Sequence, residues 1–197
     1  MKTKKETERC PWTSTNPLMI KYHDEEWGEP LHDDRKLFEY IILDAFQAGL
    51  SWNTIINKRK NFKKAFDNFN AGKIAKYDRK KINELLNDAG IIRNKMKINA
   101  TVQNAKAFLN VKKEFGSFDK YIWQFTGGKT IDNSLSDLKK MPVKSKESDA
   151  MSKDLKERGF SFVGSTICYA FMQAAGMVND HLNFCFRYKS VKKNNSI

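Results

Sequence analysis

Residues 33–52 read Asp33-Asp-Arg-Lys-Leu-Phe-Glu-Tyr-Ile-Ile-Leu-Asp-Ala-Phe-Gln-Ala-Gly-Leu-Ser-Trp52. Leu37, Ile41 and Ala45 recur at one helical turn, and Phe38, Ile42 and Phe46 form the adjoining row. The spacing predicts a helix, capped by Asp33 or Asp34, that runs to about Ala48. Gly49 ends it, and Ser51 caps a second helix through Trp52, Ile55 and Ile56. The same period recurs along the chain, while the alternation that strands need is almost absent. Short helices are expected over 70–77, after the Asp78 cap through Ile82, Leu85 and Leu86 to Gly90, and over 117–125, with a long one over 93–115. An irregular stretch covers 126–148, with Gly127, Gly128 and Pro142. Helix resumes at Ser148 and Asp149, breaks at Gly159 and resumes over 165–175. The expected fold is all-α: a single domain of two lobes over 10–186, between a flexible basic N-terminus, 1–9, and a flexible basic tail, 187–197.

A chain of 197 residues that is 40% hydrophobic, with 14 Phe and 4 Trp, has enough apolar matter for a packed interior, which excludes a disordered class. Its net charge of +13 points to a polyanionic partner, nucleic acid first among them. Three cysteines do not make a disulfide framework and fit a reducing compartment. Residues 1–9 contain no apolar core of a signal peptide, and no apolar run approaches the roughly 18 residues of a membrane span. The expectation is a soluble, cytoplasmic protein.

Cys10 and His23 form C-x12-H, and His181 and Cys185 form H-x3-C. Two Cys and two His complete a tetrahedral Zn²⁺ site with no position left for a catalytic water. Such a zinc is structural and joins the two ends of the chain, closing a long loop. The H-x3-C pair is expected on one face of a helix. Cys168 is left over and reads as a small core residue.

Asp44 interrupts the apolar run of its helix, where a buried carboxylate needs a partner. Near it stand Gln47, Gly49, Leu50, Ser51 and Trp52, while Trp12, Tyr22 and Trp27 flank the first metal pair. Aromatic walls with one carboxylate suit a flat, cationic, hydrogen-bond-donating ligand such as an alkylated purine. Gly159-Phe-Ser-Phe-Val-Gly164 separates two helices and resembles the hairpin of a helix-hairpin-helix DNA-binding element. Its backbone N–H groups, with Ser165 and Thr166 opening the next helix, can hold a phosphate. Ile91-Ile-Arg-Asn-Lys95, with nearby Lys97, is a second turn expected to touch DNA. Walker A, G-x-G-x-x-G and G-x-S-x-G motifs are absent.

Glu8-Arg-Cys-Pro-Trp12, Tyr22-His-Asp-Glu-Glu-Trp-Gly28, Gln47-Ala-Gly-Leu-Ser-Trp52, Asp88-Ala-Gly-Ile-Ile-Arg93, Gly159-Phe-Ser-Phe-Val-Gly-Ser-Thr-Ile-Cys-Tyr169 and Met172-Gln-Ala-Ala-Gly-Met-Val-Asn-Asp-His181 together resemble the 3-methyladenine DNA glycosylase I family. The resemblance runs over 8–185. It implies an all-α fold of the helix-hairpin-helix glycosylase superfamily, with a structural zinc held by Cys10, His23, His181 and Cys185. It further implies a monofunctional hydrolase, most simply a monomer, acting on alkylated double-stranded DNA to release 3-methyladenine. Tyr22 and Trp52 match aromatics of the family's base pocket, with Trp27 beside them. Asp44 falls where many members carry Glu, the carboxylate that hydrogen-bonds the damaged adenine. One methylene shorter, it keeps the charge. Gly49 and Leu50 would press into the gap left in the duplex, and Gly159, Gly164, Ser165 and Thr166 would contact the backbone. Asp180 reads as structural. No lysine stands as a Schiff-base nucleophile, which argues against lyase activity. Two rivals to this reading are a non-catalytic binder of alkylated DNA and a zinc-stapled protein-interaction module.

Overall fold

The computed structural model describes residues 8–194 and is mostly helical. Its helices are α1 (Pro17–Glu25), α2 (Asp34–Gln47), α3 (Trp52–Ala65), α4 (Ala71–Ile74), α5 (Arg79–Asn87), α6 (Lys95–Phe115), α7 (Phe118–Trp123), α8 (Lys146–Glu157), α9 (Ser165–Ala174) and α10 (Phe186–Asn194). The only sheet among the described residues pairs β1 (Ile131–Asp132) with β2 (Val178–Asn179) in parallel, Ile131 opposite Val178. No described helix is long and apolar enough to cross a membrane.

Cap chemistry sets most boundaries. Asp33 accepts from Lys36 N, Ser51 from Thr54 N, Asn70 from Lys73 N, Asp78 from Lys81 N and Ser117 from Lys120 N. The expected helices over 33–48, 51 onward, 93–115 and 165–175 are therefore present within a residue or two. Helix α5 ends at Asn87, before Gly90, and α8 begins at Lys146 because Ser145 and Ser148 form a capping box. Helix α1 has no counterpart in the sequence reading. Asn16 caps it by accepting from Leu18 N, and Pro17 occupies its first turn.

The tail differs from expectation. Residues 186–194 form α10, anchored by the fully buried Val191; residues 195–197 lie outside the described residues. At the other end Arg9 forks onto the Asp24 carboxylate; residues 1–7 also lie outside the description.

Helix α2 runs through the core. Every residue from Leu37 to Phe46 is buried, and α3, α6, α7 and α9 pack around it. The segment after α1 docks on the end of α9: Gly28 N donates to Gln173 O at 3.0 Å and Leu31 N to Ala175 O at 3.1 Å. The approach requires Gly176, whose φ is +68° and whose added Cβ would lie 2.2 Å from the Glu29 carbonyl carbon. Early and late parts of the chain thus meet through backbone as well as through the Cys/His cluster.

Candidate functional site: an aromatic cavity beside a Cys/His cluster

Burial of α2 on all sides puts two carboxylates in the interior. Glu39 is 4% exposed and Asp44 2%. Glu39 is satisfied: Arg59 Nε donates to it at 2.6 Å and Lys63 Nζ lies at 3.2 Å. Arg59 also forks onto Glu26, with both bonds at 2.8 Å. Asp44 has no such partner, and its Oδ2 is buried without a hydrogen bond. Burial pushes its carboxyl well above the ordinary range, opposed only in part by Arg59. A fold that pairs one buried carboxylate and leaves another bare on the same helix marks the second as ligand-facing.

Asp44 opens onto a cavity of about 190 Å³ walled by Trp12, Tyr22, Trp27, Gln47, Trp52 and Gln173, with Leu138, Met141 and Ala170. Helix α1 delivers Tyr22; α2 delivers Asp44 and Gln47; the Ser51 cap starts α3 at Trp52. Tyr22 and Trp52 stand 5.0 Å apart between ring centroids at 42°, and Trp12 meets Trp27 edge-on at 4.8 Å. The indole Nε1 atoms of Trp12 and Trp52 are buried and also lack partners. The wall thus offers aromatic faces, one bare carboxylate oxygen and two unused N–H donors.

Tyr22, Trp27, Asp44 and Trp52 therefore come together in one cavity. Leu138 and Met141 come from the irregular stretch and had no sequence signal. Gln173 had one, as a polar residue inside the apolar run of α9.

The Cys/His cluster lies behind the aromatic wall. Cys10, His23, His181 and Cys185 are all buried, with one ligand atom of each within 4.8 Å of the others. His23 turns Nε2 toward Cys185 Sγ at 3.4 Å, and its Nδ1 pairs with Asp24 at 2.8 Å. His181 turns Nδ1 toward both sulfurs at 3.7 Å and gives Nε2 to the Trp27 carbonyl at 2.9 Å. Each imidazole has one nitrogen in the cluster and the other fixed outside it, the arrangement that orients metal-binding histidines. The hydrogen bond from Cys10 draws the Cys185 thiol well below its ordinary range against its burial, with His181 and His23 adding to the effect, and holds Cys10 up. The set can hold a metal ion. Its second half is not helical as expected: 181–185 is a turn closed by Cys185 N on Leu182 O at 2.7 Å, and α10 starts only afterwards. Gly28, at φ +82°, lies flat against this site, where an added Cβ would come 2.9 Å from His181 Nε2.

Of the other residues singled out by sequence, Gly49 and Leu50 form the α2–α3 turn. Gly49 takes φ +75°, and Leu50 is 41% exposed. Gly159, at φ +90°, leaves α8, and Gly164 precedes α9 with ordinary φ and no side-chain cap. The left-handed residue inside the 159–164 turn is Phe162, φ 58°. Ser165 and Thr166 begin α9, with Thr166 exposed. Arg93 and Lys95 are exposed, but Lys97 is not available to DNA. It is 6% exposed and donates to the carbonyls of Phe46 and Ala48. Asp180 is buried among three donors, and Cys168 is a buried core thiol.

Residues 12–188 match the methyladenine glycosylase family, and the chain belongs to that family. It is 48% identical to the DNA-3-methyladenine glycosylase of Haemophilus influenzae over 91% of this chain and 97% of that one. It is 45% identical to DNA-3-methyladenine glycosylase 1 of Escherichia coli, over 94% and 99%. A solved variant of 3-methyladenine DNA glycosylase I in complex with 3-methyladenine superposes with a TM-score of 0.88 at 32% identity, covering 90% of this chain and 96% of that one.

Proposed function

We propose that this chain is a base-excision repair glycosylase that hydrolyses the N-glycosidic bond of 3-methyladenine in alkylated DNA. The observation that carries the assignment is the bare, buried Asp44 oxygen in an aromatic cavity of purine size. The damaged nucleotide leaves the base stack to enter it. Tyr22 and Trp52 enclose the ring, Trp27 backs the wall, and Asp44 accepts from the N–H edge. Alkylation at N3 leaves the purine positively charged. When the C1′–N9 bond breaks, its electron pair neutralises the departing base. Water adds to C1′ and releases a proton. The chain therefore has little to supply beyond extrusion, enclosure and a negative carboxylate. Asp180, committed to three hydrogen bonds, activates no water in this scheme.

DNA is held by the 159–164 turn acting as a helix-hairpin-helix element. Support comes from the uncapped start of α9, where Gly164, Ser165 and Thr166 offer backbone N–H groups to a phosphate. Gly49 and Leu50 fill the space the extruded base vacates. The Cys/His cluster takes one Zn²⁺, the ion that two thiolates and two imidazoles suit best, and its role is structural because the set is closed. The enzyme acts as a cytoplasmic monomer.

The test is chromatography of the bases released from dimethyl-sulfate-treated duplex DNA. Free 3-methyladenine in the supernatant is the expected result. Binding of methylated DNA with no base released would reduce the chain to a damage-binding protein.

A further inference from the structure

Gln173 is the one cavity side chain whose amide orientation the fold decides. Its Nε2 donates to Asp180 Oδ2 at 2.7 Å. Asp180, 1% exposed, also accepts from Tyr169 OH on Oδ2 at 2.9 Å and from Asn133 Nδ2 on Oδ1 at 2.6 Å. A carboxylate only accepts, so it takes the nitrogen end of the amide and leaves the oxygen end over. The Gln173 backbone is fixed as well, since its carbonyl accepts from Gly28 N at 3.0 Å. Its Oε1 has no hydrogen-bond partner among the described residues, and the residue lines the cavity.

We infer that Gln173 presents its amide oxygen to the 6-position of the bound purine and so selects 6-amino over 6-oxo bases, with Asp180 as the positioning residue that denies the amide its reverse orientation. The inference rests on the cavity being the base pocket. A 6-amino group carries two hydrogens, and the wall holds two acceptors without protein partners, Asp44 and Gln173. A 6-oxo group would bring an acceptor against both. A site built around a donor rejects the analogue that lacks it, because the Asp44 and Gln173 oxygens, enclosed by the bound base, then stay unpaired. The protein pays for this selectivity in buried polarity: Asp180, Asn133 and Tyr169 are committed to holding one amide.

The experiment compares the parent, Gln173→Met and Asp180→Asn on methylated duplex DNA, reading released 3-methyladenine and 3-methylguanine together with melting temperature. Gln173→Met keeps the length of the side chain and removes its oxygen. The ratio of 3-methyladenine to 3-methylguanine should fall roughly tenfold, the loss of one buried hydrogen bond. Asp180→Asn lets the Gln173 amide turn its nitrogen inward, and should move the ratio the same way. A merely structural role would lower both products together. An unchanged ratio in a variant that melts normally overturns the inference, and either variant alone decides if the other fails to fold. A parent that releases no 3-methyladenine overturns the pocket assignment itself. Release by the parent with parental ratios in the variants removes only the role of Gln173.

Discussion

Lys97 reaches from α6 to the end of α2 and donates from Nζ to the carbonyl of Phe46 at 2.8 Å. A second bond goes to the carbonyl of Ala48 at 2.5 Å. A helix leaves such carbonyls without partners at its C-terminus, and a lysine there also favours the dipole. The same ammonium lies 6.0 Å from the ring of Phe162, inside the 159–164 turn. One buried cation therefore ties together the two turns proposed to meet DNA. Lys97→Met keeps the stem and removes the donors. We expect a stability loss of about 1–3 kcal/mol and a greater loss of excision from duplex DNA than of free-base binding. Thermal melts and the two binding assays check this. A parental melt would show that water replaces the lysine at no cost.

Asp44 should make the protein less stable than it need be. Its folded-state pKa is raised by burial above the ordinary value of 3.8. Between that value and the raised one, the folded chain retains a proton that the unfolded chain has released, so stability falls as pH rises through the raised folded value and levels off once both states are ionised. Asp44→Asn removes this dependence. The variant should melt on the order of 2–4 °C above the parent near pH 8, and the gap should close toward pH 4. It should also lose affinity for 3-methyladenine, because an amide can place a donor where an acceptor is needed. Asp44→Glu keeps the charge and should retain excision. Parental free-base binding by Asp44→Asn would remove Asp44 from the pocket.

The helices were legible because their start signals are local. Asp33, Ser51, Asn70 and Asp78 each bond the backbone N–H three residues on. Helix α1 has no counterpart in the sequence reading because its nine residues lie between two segments dense in aromatic and charged residues. Helix α10 was missed because its charge reads as a solvated tail, while the buried Val191, the Arg187–Glu29 ion pair and the Tyr188 hydroxyl on Asp132 anchor it. In the cavity, Asp44 and Trp52 were visible because each breaks a local pattern. Leu138 and Met141 arrive from a loop, and a loop's long-range destination leaves no periodic trace. Lys97 was misread for the opposite reason. Its neighbours Arg93 and Lys95 are exposed, and nothing local shows that the third cation turns inward to cap another helix.

Metal removal should act on folding first. Chelation, or Cys185→Ser, leaves two imidazoles and the remaining thiol or thiols in a closed, buried cluster, and the outer bonds from Asp24 and Trp27 cannot compensate. We expect one zinc per chain in protein purified without chelators. The Cys185→Ser variant should lose several kcal/mol of stability or fail to accumulate. Gly28→Ala is the subtler probe, since its methyl would press on the His181 ring and should weaken metal retention without removing a ligand. Metal analysis with a chelator titration reads both, and metal-free protein of parental melting temperature would show that the cluster is only a hydrogen-bonded core.

Leu50 and Trp52 stand two residues apart on either side of the Ser51 cap, yet they should fail in different assays. Leu50 is 41% exposed at the tip of the turn, and Trp52 lies in the cavity wall against Tyr22. An exposed leucine there gains nothing from the free protein, but in a duplex it can replace stacking lost when a base leaves. Leu50→Ala should therefore reduce excision from duplex DNA, by about tenfold if it loses on the order of 1–2 kcal/mol of apolar contact, and leave binding of free 3-methyladenine nearly intact. Trp52→Ala removes a ring that faces the base and should weaken free-base binding directly, with excision falling as a consequence. Phosphate contacts are untouched by either change. Both variants should therefore keep the parental salt dependence of binding to undamaged duplex, which steepens with the number of phosphates neutralised. Four measurements separate the roles: two variants, each with free base and with methylated duplex. Equal losses on both ligands for Leu50→Ala would make Leu50 part of the packing around the cavity, and the wedge would have to be sought elsewhere on the same face.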